Sequence, residues 1–145
     1  MAFAAVGLWT AFESVENFIP RQSAIEEGVI PAKPFTEAAL AQARASGKPV
    51  FVWFTADWCL SCKVNESVAI ERDATRDAFR KAGVIAIEGN WTRRDPEITR
   101  FLTAHGAAGV PLYFWYPPGG EAQQLPQVLT PDSLVELAQG SRAPT

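Results

Sequence analysis

Two cysteines are the only thiols of the 145-residue chain, and both fall in Cys59-Leu60-Ser61-Cys62. Residues three apart at the first turn of a helix face one side, so the two sulfurs can reach disulfide distance there. Unpaired backbone N–H groups and the helix dipole at that end favour a thiolate. In that setting the first cysteine is exposed and nucleophilic, and the second lies deeper and resolves a mixed disulfide. The competing reading is two structural cysteines or half a zinc site. A closed zinc site needs about four ligands, and His105 is the only histidine. The spacing therefore points to dithiol–disulfide chemistry rather than metal binding.

The elements around the pair suit that chemistry. Pro49-Val50-Phe51-Val52-Trp53-Phe54-Thr55 is an apolar run of strand-forming residues that predicts a buried central strand. After Cys59 the period turns helical, with Leu60, Val64 and Val68 expected on one apolar stripe. Thr36 caps an earlier helix that stops at Gly47, and Asp73 caps a later one that stops at Gly83. Val84 to Ile87 reads as a second strand. Asp95-Pro96-Glu97 is a cap, a proline at the first helical position and an acidic first turn, and that helix ends before Gly106. Leu112 to Tyr116 is a strand, Pro117 to Gly120 a turn, and residues 123–129 its antiparallel partner; Thr130-Pro131-Asp132 opens a last helix. Strands separated by helices predict parallel crossovers with a late antiparallel edge. The fold class is α/β, a mixed central sheet of about four strands flanked by helices.

Composition bounds the rest. Hydrophobic residues at 48% and charged residues at 20% describe an ordinary globular domain, not a disordered chain. Thirteen basic and sixteen acidic residues give a net charge of −3. No basic stripe is present, so nucleic acid is excluded as a partner class. The N-terminus, MAFAAVGLWTAF, is apolar to Glu13 but short of the roughly 20 residues that cross a bilayer. It reads either as the trailing turns of a membrane helix or as an amphipathic segment packed on the domain. Residues 1–34 are taken as this arm and linker, and residues 35–145 as the folded domain.

Phe54-Thr55-Ala56-Asp57-Trp58-Cys59-Leu60-Ser61-Cys62-Lys63 resembles the active-site segment of the thioredoxin superfamily. With Val64-Asn65-Glu66, Asn90 to Pro96 and Gly109-Val110-Pro111-Leu112-Tyr113, residues 35–140 resemble the C-terminal periplasmic domain of the DsbD/ScsB transmembrane thiol:disulfide interchange proteins. The resemblance implies a thioredoxin-like fold and protein-disulfide reductase activity, with no cofactor or metal beyond the Cys59–Cys62 disulfide. It implies a membrane-embedded electron-donor domain in the same protein and periplasmic partner domains or client proteins as acceptors. The place implied is the periplasmic side of the bacterial inner membrane, tethered within a membrane protein. Alternatives are a free-standing thioredoxin-like protein with a dedicated client, a redox-inert binding module, or a metal carrier using the two thiolates.

The resemblance also assigns residues. Cys59 and Cys62 are catalytic, and Glu66, four residues after Cys62, is the candidate acid/base for the deeper thiol. Val110-Pro111 matches the cis-proline loop that lies beside the pair and presents backbone to an incoming peptide; without the resemblance, Pro111 would simply start a strand. Trp58 is read with Val110 and Pro111 as part of the substrate-binding rim. Trp53 is a departure, because an aspartate is usual six residues before the first cysteine. Glu66 alone, Asp57, water or the client must then carry the proton. Lys63 is a candidate for lowering the Cys59 pKa, and His105 is expected at the surface.

Overall fold

The run Val50–Thr55 forms the central strand, β2, and all six of its residues are buried. In the computed structural model, which describes residues 28–141, it sits in a five-stranded sheet of order β1-β3-β2-β4-β5. The other strands are β1 (Lys33–Pro34), β3 (Ile85–Asn90), β4 (Leu112–Tyr116) and β5 (Gln123–Gln124). The helices are α1 (Glu37–Ala45), α2 (Leu60–Asn65), α3 (Asp73–Ala82), α4 (Pro96–Ala104) and α5 (Ser133–Gly140). A π-helical segment, Glu66–Ile70, continues α2. The apolar N-terminal stretch lies outside the described residues, among which no helix is long and apolar enough to cross a membrane.

Strand alternation divides β2 between two cores. Val50, Val52 and Phe54 join Ile87, Leu112, Phe114 and Tyr116 under α1 and α4. Phe51 and Trp53 join Ala86, Tyr113 and Trp115 under the π-helical segment, α3 and α5. Capping sets the helix starts as the sequence predicts at two places. Thr36 Oγ1 accepts the Ala39 N–H at 2.9 Å, and Asp95 Oδ1 accepts those of Glu97 and Ile98 at 2.9 and 3.1 Å. Gly83, at φ +70°, supplies the left-handed turn that stops α3.

Five expectations change. Asp73 does not cap α3: it is the first helical residue and pairs with Arg76, and Arg72 at the N-cap makes no side-chain capping bond. Lys33–Pro34, assigned to the arm, forms β1 and pairs in parallel with Ile87 and Glu88, which raises the strand count to five. Such a two-residue strand carries no period to read. β4 is antiparallel to β2, not parallel, with Phe54 opposite Leu112. β3 and the chain entering β4 both lie at the Cys59 end of the sheet, so the intervening α4 segment makes no return crossover. β5 covers only Gln123–Gln124 rather than seven residues. Of the expected stripe, Leu60 and Val64 face outward, 80% and 54% exposed, and Val68 is half-buried. The buried positions of that helix are instead Cys62, Asn65, Ala69 and Ile70.

Gly89 pairs with Phe54 across β2 and β3, and a Cβ added there would strike Cδ1 and Cε1 of that ring. Phe54 is fully buried and packs against Phe35 and Phe101, so it has no room to move. Gly89→Ala is expected to cost about 1–3 kcal/mol. Urea unfolding measures this, and a loss below about 0.5 kcal/mol would contradict the close approach.

Candidate active site

β2 ends at Thr55, and the buried Ala56 carbonyl accepts the Cys59 N–H at 3.1 Å. This turn places Cys59 at the N-cap of α2, where its sulfur accepts the Cys62 N–H at 3.2 Å. The two cysteines form a disulfide with their Cα atoms 5.3 Å apart. Cys59 is nearly buried, 7% exposed rather than open as expected, because it packs with Ala56, Cys62 and Val110; Cys62 is fully buried, so the surface that remains belongs to Cys59. The Val110 carbonyl oxygen lies 3.9 Å from Cys59 Sγ, and the Val110–Pro111 peptide bond is cis. Ala56, Cys59, Cys62 and Val110 pack as one small cluster.

Exposed apolar side chains stand on either side of Cys59 in the chain. Trp58 is 54% exposed, and with the outward Leu60 and Val64 it leaves large apolar surface beside Cys59. Trp58 is nevertheless held: its indole Nε1 donates to the Thr92 carbonyl at 3.2 Å, and the Asp57 N–H donates to Thr92 Oγ1 at 2.9 Å. The loop after β3 thus braces the turn that carries Cys59.

The charged residues are arranged around Lys63. Its Nζ lies 3.0 Å from Glu66 Oε2 and 3.9 Å from Asp57 Oδ1. The Glu66 side chain is only 13% exposed, and its backbone N–H bonds to the Cys62 carbonyl. Glu66 is therefore a largely enclosed carboxylate on the helix of the deeper cysteine, held by a lysine whose charge it shares. Trp53 lies between Glu88 and Tyr113 in the sheet, and its indole N–H has no hydrogen-bond partner among the described residues. Burial foremost, and then the charge of Glu66, raise the pKa of Glu88. Sequence reading passed over Glu88, although a carboxylate closing the apolar run Ile85-Ala86-Ile87 is a visible signal. His105 is exposed at the end of α4.

Asn65 is the other residue that sequence reading missed. It is buried three positions after Cys62, and its Nδ2 donates to Tyr113 Oη at 3.0 Å and to the Gln127 carbonyl at 2.6 Å. Its Oδ1 accepts the Leu129 N–H at 3.2 Å, and Gln127 Nε2 reaches the Pro111 carbonyl at 3.4 Å. One amide therefore ties the cysteine helix to β4 and to the loop behind Pro111. Burial pushes the Tyr113 pKa up to about 12, so its hydroxyl stays protonated in this network. An asparagine inside a helix carries no distinctive sequence signal, which is why it was overlooked. Asn65→Ala strands two buried acceptors and a donor and should cost about 2–3 kcal/mol in urea unfolding. A loss under about 0.5 kcal/mol would contradict the network.

Comparison with known proteins agrees with this geometry. A thioredoxin-like family model matches residues 32–118. The thiol:disulfide interchange protein DsbD 1 of Pseudomonas aeruginosa is 36% identical over 88 residues, covering 59% of this chain and 14% of that protein. DsbD of Vibrio cholerae is 31% identical over 80 residues, covering 54% of this chain and 13% of that protein. The chain thus spans about a seventh of the length of these curated relatives. Among solved structures, the reduced C-terminal domain of Neisseria meningitidis DsbD aligns with a TM-score of 0.58 at 25% identity, covering 75% of this chain and 99% of that one. Its oxidised form aligns at 0.59 and 24% identity, covering 77% and 100%. With the family matched over four of the five strands and the cysteine pair at the head of its helix, the chain belongs to the thioredoxin-like family.

Proposed function

We propose that this domain is a protein-disulfide reductase that receives electrons from a membrane-embedded domain of the same protein and passes them to periplasmic partner domains or clients. The observation that carries the reading is the graded pair: a reachable Cys59 sulfur backed by a fully buried Cys62 at the head of one helix. The likeness to DsbD proteins supports it, and so does their greater length, which leaves room for a donor domain. The same likeness supports a tether on the periplasmic side of the inner membrane, with the residues before β1 as the arm that leads into the domain.

In the reduced domain the Cys59 thiolate attacks one sulfur of the partner disulfide. A Cys59–partner S–S bond forms, the partner S–S bond breaks, and the departing partner thiolate takes a proton from solvent. Cys62 then loses its proton to Glu66, and its thiolate attacks Cys59 Sγ. The mixed disulfide breaks, a second partner thiolate leaves and takes up the proton that Glu66 gives back, and the Cys59–Cys62 bond closes. Two electrons have moved to the partner, which leaves as a dithiol. A dithiol in the donor domain restores the pair by the reverse exchange. Trp58, Val110 and Pro111 form the binding rim, with the Val110 carbonyl set beside Cys59 to meet a partner's backbone.

Rapid mixing of the reduced chain with a peptide disulfide tests both the reading and the role of Glu66. Cys62→Ser should accumulate the mixed disulfide on Cys59, and failure to form any adduct would overturn the reductase reading. Glu66→Gln should leave adduct formation unchanged and slow its decay by more than about tenfold near pH 7. A change in decay below about twofold would remove Glu66 from the proton path.

A further inference from the structure

Arg94 is the one non-glycine among the described residues with a positive φ, +55°. Side chains rarely adopt this conformation, and where they do the strain often marks a working site. The turn that imposes it is closed by the Arg94 N–H, which donates to the Trp91 carbonyl at 2.9 Å. The guanidinium lands in the notch between two tryptophans, its Cζ 5.0 Å from the Trp91 ring centre and 5.7 Å from that of Trp58. The two rings are themselves 6.0 Å apart. Trp58 is the chain neighbour of Cys59 and is fixed to the same loop through Thr92.

Stacking occupies the face of a guanidinium and leaves the N–H donors of its edge free for a carboxylate. No carboxylate lies within ion-pairing distance of Arg94 among the described residues. The adjacent Asp95 is committed to the N–H groups of Glu97 and Ile98 at the start of α4. Lys63, on the cysteine helix, is already held by Glu66 and Asp57, and the neighbouring Arg93 has no aromatic ring beneath it among the described residues. Arg94 is thus a pre-positioned, unneutralised cation on the rim beside the attacking sulfur.

We propose that Arg94, shelved on Trp58 and Trp91, is a specificity subsite that binds an acidic side chain flanking the disulfide of the partner. The proposal rests on the reductase reading and names the chemistry of the partner for that same site. It places on the rim an electrostatic contact next to the apolar one made by Trp58, Leu60 and Val64.

The test uses the reduced chain and three otherwise identical peptide disulfides with Glu, Gln or Lys beside the attacked cysteine, at low salt. Wild type should reduce the Glu peptide about fivefold faster, in kcat/KM, than the Lys peptide, with Gln between them. That ratio should shrink as salt is raised. Arg94→Gln should bring the ratio close to one and Arg94→Glu should invert it, whereas Arg93→Gln, a neighbour without an aromatic shelf, should keep the wild-type preference. If Arg94→Gln slows all three peptides equally, or if wild type shows no preference, the guanidinium only braces the tryptophans and the subsite is overturned. Absence of reduction of any peptide would overturn the reductase reading itself, and the subsite with it.

Discussion

The Cys59 sulfur accepting the N–H of Cys62 is the contact on which the rest of the site depends. It makes one atom the cap of a helix and, in the proposed mechanism, also the point of attack. A cap sulfur must sit where a strand has just ended and a helix has not yet begun. β2 provides that boundary because all its residues are buried and fixed between two cores. Everything else near the pair holds this boundary still. Thr92 braces the turn before Cys59, and Asn65 anchors the helix after Cys62. The carbonyl beside the cis-proline closes the remaining side. The same N–H that stabilises the bridged sulfur is placed to stabilise a thiolate once the bridge opens.

Charge near the pair is distributed differently from what one residue at a time suggests. Trp53 leaves no carboxylate directly beneath the cysteines on β2, while Glu66 and Glu88 stand on the helix and on the neighbouring strand. Burial raises the pKa of Glu88, and the charge of Glu66 adds to that effect. Lys63 sits between Glu66 and Asp57, so its charge is divided before it reaches Cys59.

Much of this was legible in the residues. The cysteine spacing, the apolar β2 run and the Asp95-Pro96 cap each state a local requirement that tertiary structure left intact, whereas the cis bond at Val110-Pro111 came only from the family resemblance. What escaped reading depended on distant partners. Asn65 matters because Tyr113, Gln127 and Leu129 converge on it from far along the chain. Leu60 and Val64 keep a helical period but face solvent, because an exposed apolar patch looks the same in sequence as the stripe of a core. β1 is two residues long and exists only as an edge on β3. Arg94 is conspicuous only once its φ and its two tryptophans are seen together.

The asymmetry of the two sulfurs is the central claim, and the pH dependence of their alkylation measures it directly. The fully reduced chain is treated with iodoacetamide across a range of pH, and each cysteine is followed by mass spectrometry of its peptide. The account predicts that Cys59 reacts well below the ordinary thiol pKa of about 8.5, with Cys62 far slower throughout. Equal rates for Cys59 and Cys62 at every pH would contradict it.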